Sequence, residues 1–194
     1  MSNIDEVYSF VFRGLLAEDS LDSSGRSHNY SGNKLLESSI SNRLSIDLLD
    51  QEIVKDVSNM AIVYIAIAGF EKSVRKLITT ILLEQVGENW WILSVPQKVR
   101  EKAESRRVEE AKIRWHTPRG DDPINYTELG DLVTIINQSW DKFEPFIRSF
   151  EWAKQLITTV ERSRNVIMHS GTLENGDIER LGMQIRDWIK QVGA

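Results

Sequence analysis

The chain contains no cysteine and only four prolines in 194 residues. The lack of cysteine excludes disulfide bonds, thiolate zinc sites and cysteine nucleophiles, and it is compatible with a reducing cytoplasm. No stretch of alternating apolar and polar residues is bounded by hairpin turns, so nothing in the sequence predicts a β-sheet. The chain is instead rich in Leu, Ile, Glu, Lys and Arg at helical spacing, which predicts an all-α protein.

Histidine is also scarce, and only His28, His116 and His169 are present. His28 and His116 have neither a carboxylate nor a second histidine at ligand spacing, so we expect no zinc site. Asp121 and Asp122 precede a proline and are more typical of a turn than of a cation site. The patterns GxxxxGKS/T, GxGxxG and GxSxG are missing, which excludes recognisable P-loop, Rossmann and hydrolase-elbow chemistry. We therefore expect no metal and no cofactor.

No apolar run is long enough to cross a lipid bilayer. The longest run, residues 60–70, has 11 residues and is followed directly by Glu71 and Lys72, so it predicts a buried helix. The N-terminus has no basic start and no small-residue cleavage site, and we expect no signal peptide. These features predict a soluble, cytoplasmic protein without a membrane partner.

Negative charge predominates, with a formal net charge of −5. That balance alone disfavours a polyanionic partner. Basic residues are nevertheless concentrated in residues 97–120, where eight Lys or Arg stand against four Glu. A helix of mixed charge is most often a solvated surface, and the alternative is a local surface for a phosphate backbone.

The apolar pattern divides the chain into an N-terminal extension, residues 1–50, and a helical domain, residues 51–194. The extension contains a predicted helix, Asp5 to Leu16, and a loop rich in Ser, Asp, Asn and Gly. The predicted helices of the domain span residues 49–86, 96–115, 127–143 with Thr127 as N-cap, 145–170, and 177 onward with Asp177 as N-cap. The apolar stripe expected on the first of them consists of Val57, Ala61, Tyr64, Ile67, Ala68, Val74, Ile78 and Ile81.

The predicted helix over residues 145–170 carries one cation on an apolar face. That face consists of Phe146, Phe150, Ala153, Ile157, Val160, Arg164 and Ile167. A guanidinium on an apolar stripe is costly unless it is paired or borders a cleft, which marks Arg164 as a candidate functional residue. Asn165 and His169 are four residues apart on the neighbouring face, where Asn165 could orient the imidazole. Gly171 is expected to end the helix, so the negative end of the helix dipole favours protonated His169.

Arg164 and His169 diverge by about 140° around an ideal helix and do not share a face. They could converge if the helix frays at its end, or if a two-fold axis brings a second copy of the helix alongside. The plainer alternative is that Arg164 snorkels to solvent while His169 only complements the helix dipole.

The pattern Arg164-Asn165-x-x-x-His169, late in the penultimate long helix of a small all-α domain, resembles the RNxxxH signature of the HEPN superfamily (higher eukaryotes and prokaryotes nucleotide-binding). Three surrounding features agree, namely Phe70-Glu71, Trp90-Trp91 and the segment NQSWDKFEPF over residues 137–146. Together they resemble the branch that includes a PIN-fused endonuclease of nuclear mRNA quality control. The resemblance covers about residues 50–194 and implies a HEPN-type bundle of four to five core helices.

The resemblance also implies an activity, that of a metal-independent endoribonuclease working as a homodimer. Arg164 and His169 match the catalytic pair of the family, Asn165 matches its polar residue, and Glu71 is a candidate acidic support. The basic helix would then track the RNA backbone through Arg106, Arg107, Lys112 and Arg114. A defence or toxin–antitoxin context, with an antitoxin or regulatory protein as partner, is typical of the family.

Two other interpretations of the motif remain open. In one, the domain is a non-catalytic dimerisation or nucleotide- and RNA-binding module in which Arg164 and Asn165 hold a phosphate. In the other, Arg164 is a buried structural partner of Glu71 and nothing more.

Overall fold

A computed structural model describes residues 39–192 of the chain, and within them every regular element is a helix. The chain divides into two units, Met1–Val54 and Lys55–Ala194. In the first unit, the described elements are a helical segment over residues 39–43 and a 3-10 helix, Ile46–Leu48. The helix predicted from Asp5 to Leu16 lies outside the described residues. The all-α prediction is confirmed, and the domain boundary after residue 50 stays a prediction.

The α-helices from residue 51 onward are numbered in chain order. They are α1 (Gln51–Val86), α2 (Trp90–Ser94), α3 (Gln97–Ala111), α4 (Leu129–Gln138), α5 (Trp140–Phe143), α6 (Phe150–Met168) and α7 (Asn175–Val192). A 3-10 helix, Pro123–Tyr126, lies between α3 and α4. Helix α3 packs against this 3-10 helix, while α6 packs against both α4 and α7.

Helix α1 ends where the sequence predicts, because Gly87 adopts a φ of 86° that L side chains disfavour. The Gly87 N–H still donates to the Leu83 carbonyl at 2.9 Å. The buried positions of α1 recur at steps of three and four, namely Met60, Val63, Ile67, Phe70, Val74, Ile78, Ile81 and Leu82. The first part of the predicted stripe was wrong, since Val57, Ala61 and Tyr64 are exposed. The buried face is rotated away from them toward Met60 and Val63.

Trp188 on α7 lies where the core helices meet. Its side chain is fully buried. The ring packs edge-on against Phe70 of α1, with centroids 5.5 Å apart, and stacks on Trp152 of α6 at 5.9 Å. The indole Nε1 has no hydrogen-bond partner among the described residues. Trp188 therefore joins α1, α6 and α7 through apolar and aromatic contact alone.

The predicted N-cap of α4 was wrong. Thr127 instead donates its hydroxyl to the Ile124 carbonyl at 2.7 Å, so it closes the preceding 3-10 helix. Glu128 is the N-cap, and the Asp131 carboxylate accepts its backbone N–H at 3.0 Å. A helix predicted to reach residue 143 is also interrupted at Ser139, between α4 and α5.

Other predicted boundaries shift for local reasons. Helix α6 begins at Phe150 rather than at Pro145, because the Ser149 hydroxyl accepts the Trp152 N–H at 3.3 Å and caps the helix there. Helix α3 ends at Ala111, four residues before Trp115, and α7 begins at Asn175, two before the predicted cap. Asp122 does begin a turn, and its carboxylate accepts the Ile124 N–H.

Among the described residues, only α1 is long and apolar enough to meet the length and composition criteria for a membrane span. The core helix of a soluble protein meets the same criteria. In this protein, much of the apolar surface on the N-terminal half of α1 is exposed, and Ile62 and Ile65 keep 68% and 70% of their surface accessible to solvent.

We predict that Trp188→Ala lowers the free energy of unfolding by about 3–5 kcal/mol, because it leaves a large cavity between three helices. Chemical denaturation followed by circular dichroism measures this change. The matched control is Trp115→Ala, since Trp115 is 86% exposed and its loss should cost less than about 0.5 kcal/mol. Equal losses for the two variants would contradict the packing described for Trp188.

Candidate active site at the end of helix α6

Arg164 of α6 faces Glu71 of α1. Its Nε lies 3.6 Å from Glu71 Oε2, and the Arg164 side chain keeps 33% of its surface exposed. The other oxygen, Glu71 Oε1, lies 2.7 Å from Nη2 of Arg75, one turn further along α1. The Glu71 carboxylate thus pairs with two guanidinium groups, and its contact with Arg164 is the longer of the two. The structure therefore brings together Arg164 and Glu71, two of the candidate site residues.

Arg75 extends this cluster to the segment between α3 and α4. Its Nη2 donates to the Thr127 carbonyl at 2.8 Å, and its Nε donates to the Ile124 carbonyl at 3.2 Å. The sequence shows Arg75 only as a partner of Glu71 four residues away. Nothing in the sequence predicts that Arg75 also contacts residues about fifty positions later, because carbonyl acceptors are present at every residue.

Asn165 and His169 are both exposed. No hydrogen bond joins their side chains, and neither side chain has another partner within the described part of the chain. The His169 backbone N–H still donates to the Asn165 carbonyl at 3.2 Å, so His169 nearly keeps its helical position. Arg164 consequently faces α1 while His169 faces solvent, and one chain does not bring the two side chains together.

The end of α6 is a Schellman motif centred on residues just after the helix. The Gly171 N–H donates to the Val166 carbonyl at 2.8 Å, and the Ser170 N–H donates to the Ile167 carbonyl at 3.0 Å. Ser170, not Gly171, has the left-handed backbone, with a φ of 60°. A Cβ at Gly171 would lie 2.8 Å from the Val166 carbonyl oxygen, so only glycine fits there without a shift. His169 is the C-cap and lies one residue beyond the last helical position.

An apolar groove of about 500 Å³ is lined by Met168 and Ser170, the chain neighbours of His169, but not by His169 itself. We name it the α1–α6 groove, and its lining residues are Val57, Met60, Ala61, Tyr64, Ile167, Met168, Ser170, Gly171 and Thr172. The exposed members of the predicted α1 stripe therefore form one wall of this groove. The Leu173 N–H points to the sulfur of Met60 at 3.4 Å, which holds the chain after the motif against α1.

The four basic residues predicted to contact RNA lie in different environments. Arg106 pairs with Glu128 at 2.9 Å and Asp131 at 3.1 Å, and it also donates to the Tyr126 carbonyl. Arg107 hydrogen-bonds Glu104, which lowers the pKa of that carboxyl below its ordinary value. Lys112 pairs with Glu109 at 2.6 Å.

Arg114 differs from the other three. It is exposed and forms neither an ion pair nor a hydrogen bond within the described part of the chain. An RNA-binding role for the four residues stays a prediction, and the unpaired guanidinium makes Arg114 the most available of them. Within residues 39–192, no group of three or more His, Cys, Asp or Glu is placed to hold a metal ion.

The comparison with known proteins identifies the family. Residues 66–193 match the family model of the Swt1-like HEPN domain, which is more than half of the chain. The chain therefore belongs to the Swt1-like HEPN family, and the predicted membership of the HEPN superfamily is confirmed. Neither a curated protein nor a solved structure matches it. Membership supports a ribonuclease or nucleotide-binding role, while kinship with the PIN-fused branch stays a prediction.

We predict that Arg75→Ala destabilises the fold by about 2–3 kcal/mol, because the Thr127 carbonyl loses its donor and the half-buried Glu71 carboxylate loses the shorter of its two ion pairs. Arg164→Ala should cost about 1 kcal/mol or less, since its contact with Glu71 is longer and more exposed. Thermal melts with Arg162→Ala as the control, an exposed arginine of the same helix, measure both effects. A loss for Arg164→Ala as large as that for Arg75→Ala, with none for His169→Ala, would favour the purely structural interpretation of the motif.

Proposed function

We propose that this protein is a metal-independent endoribonuclease that cleaves RNA through attack of the ribose 2′-hydroxyl. The observation that carries the proposal is the different environment of Arg164 and His169 at the end of α6. Arg164 is oriented by Glu71 but keeps a third of its side chain exposed, and His169 is open to solvent at the helix end. A fixed cation and a free imidazole are the groups that this reaction requires.

The reaction uses each group in a definite way. The 2′-oxygen bonds to phosphorus while the bond from phosphorus to the 5′-oxygen breaks, leaving a 2′,3′-cyclic phosphate and a 5′-hydroxyl. The 2′-hydroxyl gives up a proton and the leaving 5′-oxygen receives one, and His169 can perform either transfer. Arg164 would stabilise the charge on the phosphoryl oxygens. Asn165 is a candidate for holding the RNA backbone, because it is exposed beside both residues.

Two copies of the chain would complete the site. Arg164 and His169 diverge on one helix, so a second α6 related by a two-fold axis is the direct way to place one copy's His169 near the other's Arg164. The α1–α6 groove supports this arrangement, because it exposes apolar side chains next to the segment that carries His169, where a second copy would cover them. Dimerisation is common among HEPN domains, which agrees with this placement.

The proposed setting is a cytoplasmic system in which RNA cleavage must be restrained, such as defence or toxin–antitoxin function. An antitoxin or other regulatory protein would then be a natural partner. A non-catalytic module in which Arg164 and Asn165 hold a phosphate is the second candidate, and the separation of Arg164 from His169 within one chain favours it, because phosphate binding does not need the histidine.

The first test is RNA cleavage in EDTA. We expect wild-type protein to cut single-stranded RNA into products with 5′-hydroxyl ends, whereas His169→Ala and Arg164→Ala should lose at least about a hundredfold in rate. Arg162→Ala is the matched control and should cleave normally. RNA carrying 2′-O-methyl groups should remain intact, because its nucleophile is blocked.

The outcomes separate the two candidate functions. RNA binding without cleavage by a folded dimer would support the non-catalytic module. Products with 5′-phosphate ends would contradict 2′-hydroxyl attack even if cleavage occurred.

The second test addresses the shared site. We expect Ala61→Glu, which places a charge in the α1–α6 groove, to convert a dimer into a monomer in light scattering and to abolish cleavage. Leu93→Glu, at an exposed apolar residue that does not line the groove, is the control. Mixing Arg164→Ala with His169→Ala chains should restore about a quarter of the activity, because half of the dimers then carry one intact site. A wild-type monomer that binds lipid vesicles through α1 would contradict the dimer.

A further inference from the structure

The loop that follows α3 carries the most exposed aromatic side chain among the large hydrophobic residues that the structure describes. The loop spans residues 112–119, with the sequence KIRWHTPR, and we name it the Trp115 loop. Trp115 is 86% exposed. Leaving so much indole surface in water forgoes the stabilisation that burial gives other tryptophans, including fully buried Trp188. An indole in this position is available to a ligand.

Contacts made by the residues after Trp115 hold the loop in shape. The His116 ring packs edge-to-face on Trp115 with centroids 5.7 Å apart, and His116 Nδ1 is 2.9 Å from the Thr117 carbonyl oxygen. Further along, Arg119 pairs with Glu110 of α3, and its guanidinium lies 5.9 Å from the centre of the Tyr126 ring. A preorganised aromatic group loses less conformational entropy on binding than a mobile one.

The Trp115 loop carries three cations and no carboxylate, and one of the cations is unpaired. Lys112 and Arg119 are each neutralised by a glutamate of α3, but Arg114, the residue before the indole, has no partner in the described part of the chain. An open cleft of about 400 Å³ lies beside the loop. Its lining includes Arg107, Arg114, His116 and Tyr126, and also the carboxylates of Glu110 and Asp121.

We propose that the Trp115 loop is a binding subsite for single-stranded RNA, in which Trp115 stacks on an unpaired base and Arg114 contacts a neighbouring phosphate. An open aromatic face beside an unpaired guanidinium matches the two components of single-strand recognition, base stacking and backbone neutralisation. A base in a duplex has its faces covered, so this subsite selects unpaired strands. Stacking accepts any base, and the subsite therefore gives affinity with little sequence preference.

The subsite is connected to the motif by a continuous series of contacts. The Tyr126 hydroxyl donates to the carbonyl of Gly120, the residue just after the loop, and the 3-10 helix containing Tyr126 accepts a hydrogen bond from Arg75 at Ile124. Arg75 in turn shares Glu71 with Arg164. The proposal rests on the proposed function, in which RNA is the substrate. It adds that this RNA is single-stranded, and it names residues that bind the RNA away from the motif.

The test is fluorescence anisotropy of a labelled 12-nucleotide oligouridine with the His169→Ala protein, in which the RNA should stay intact. Adding Trp115→Ala should weaken binding about tenfold, while Trp115→Phe should stay within about threefold of the parent, because phenylalanine retains a stacking face. Leu93→Ala is the control for loss of an exposed apolar side chain. A 12-base-pair RNA duplex should show no dependence on Trp115.

Arg114→Ala should reduce the slope of log affinity against log salt by about 0.7, the value for one phosphate contact with a single strand. Arg148→Ala, at an exposed arginine just before α6, should leave the slope unchanged. Unchanged oligouridine affinity in Trp115→Ala would overturn the proposal and leave the loop as a protein-docking surface. Trp115-dependent binding without any cleavage by wild-type protein would support the subsite while contradicting the proposed catalysis.

Discussion

The Glu71 carboxylate is the interaction on which the motif depends. It is half-buried on α1 and receives two guanidinium groups, from Arg75 on the same helix and from Arg164 on α6. A carboxylate removed from water needs such partners, because an uncompensated charge in a partly buried position is costly. The same pairing gives Arg164 a defined direction on an otherwise apolar helix face. Glu71 thereby links the first and the penultimate helices of the described domain at the point where the Arg164-Asn165-x-x-x-His169 pattern begins.

This arrangement divides the motif into a fixed half and an open half. Arg164 is oriented by α1, whereas Asn165 and His169 project from the last turn of α6 without side-chain partners in the described part of the chain. The Schellman ending fixes the backbone that carries His169, since Gly171 is packed against the Val166 carbonyl. A rigid backbone that presents an open imidazole is suited to a site completed from outside the chain. In the proposed dimer, the α1–α6 groove would be the surface that a second copy covers.

A large part of the fold follows from local sequence. The extent of α1, its end at Gly87 and the position of the motif late in α6 are consequences of apolar periodicity and of glycine backbone freedom. The start of α6 was harder to predict, because a proline at 145 and a serine at 149 are both plausible helix starts until the capping hydrogen bond is known. The partners of Arg106 could not be predicted either, because Glu128 and Asp131 approach α3 only after the intervening segment folds back.

The sequence by itself determined the helical class, the family and the residues of the motif, because helix periodicity and a short signature depend on neighbouring positions alone. The tertiary structure decided which of those residues are fixed and which are open. Packing of α6 against its neighbours directs Arg164 to Glu71, and the rotation of the α1 core face toward Met60 leaves Val57, Ala61 and Tyr64 exposed in the groove. Burial and pairing depend on contacts between distant segments, and no pattern of adjacent residues encodes them.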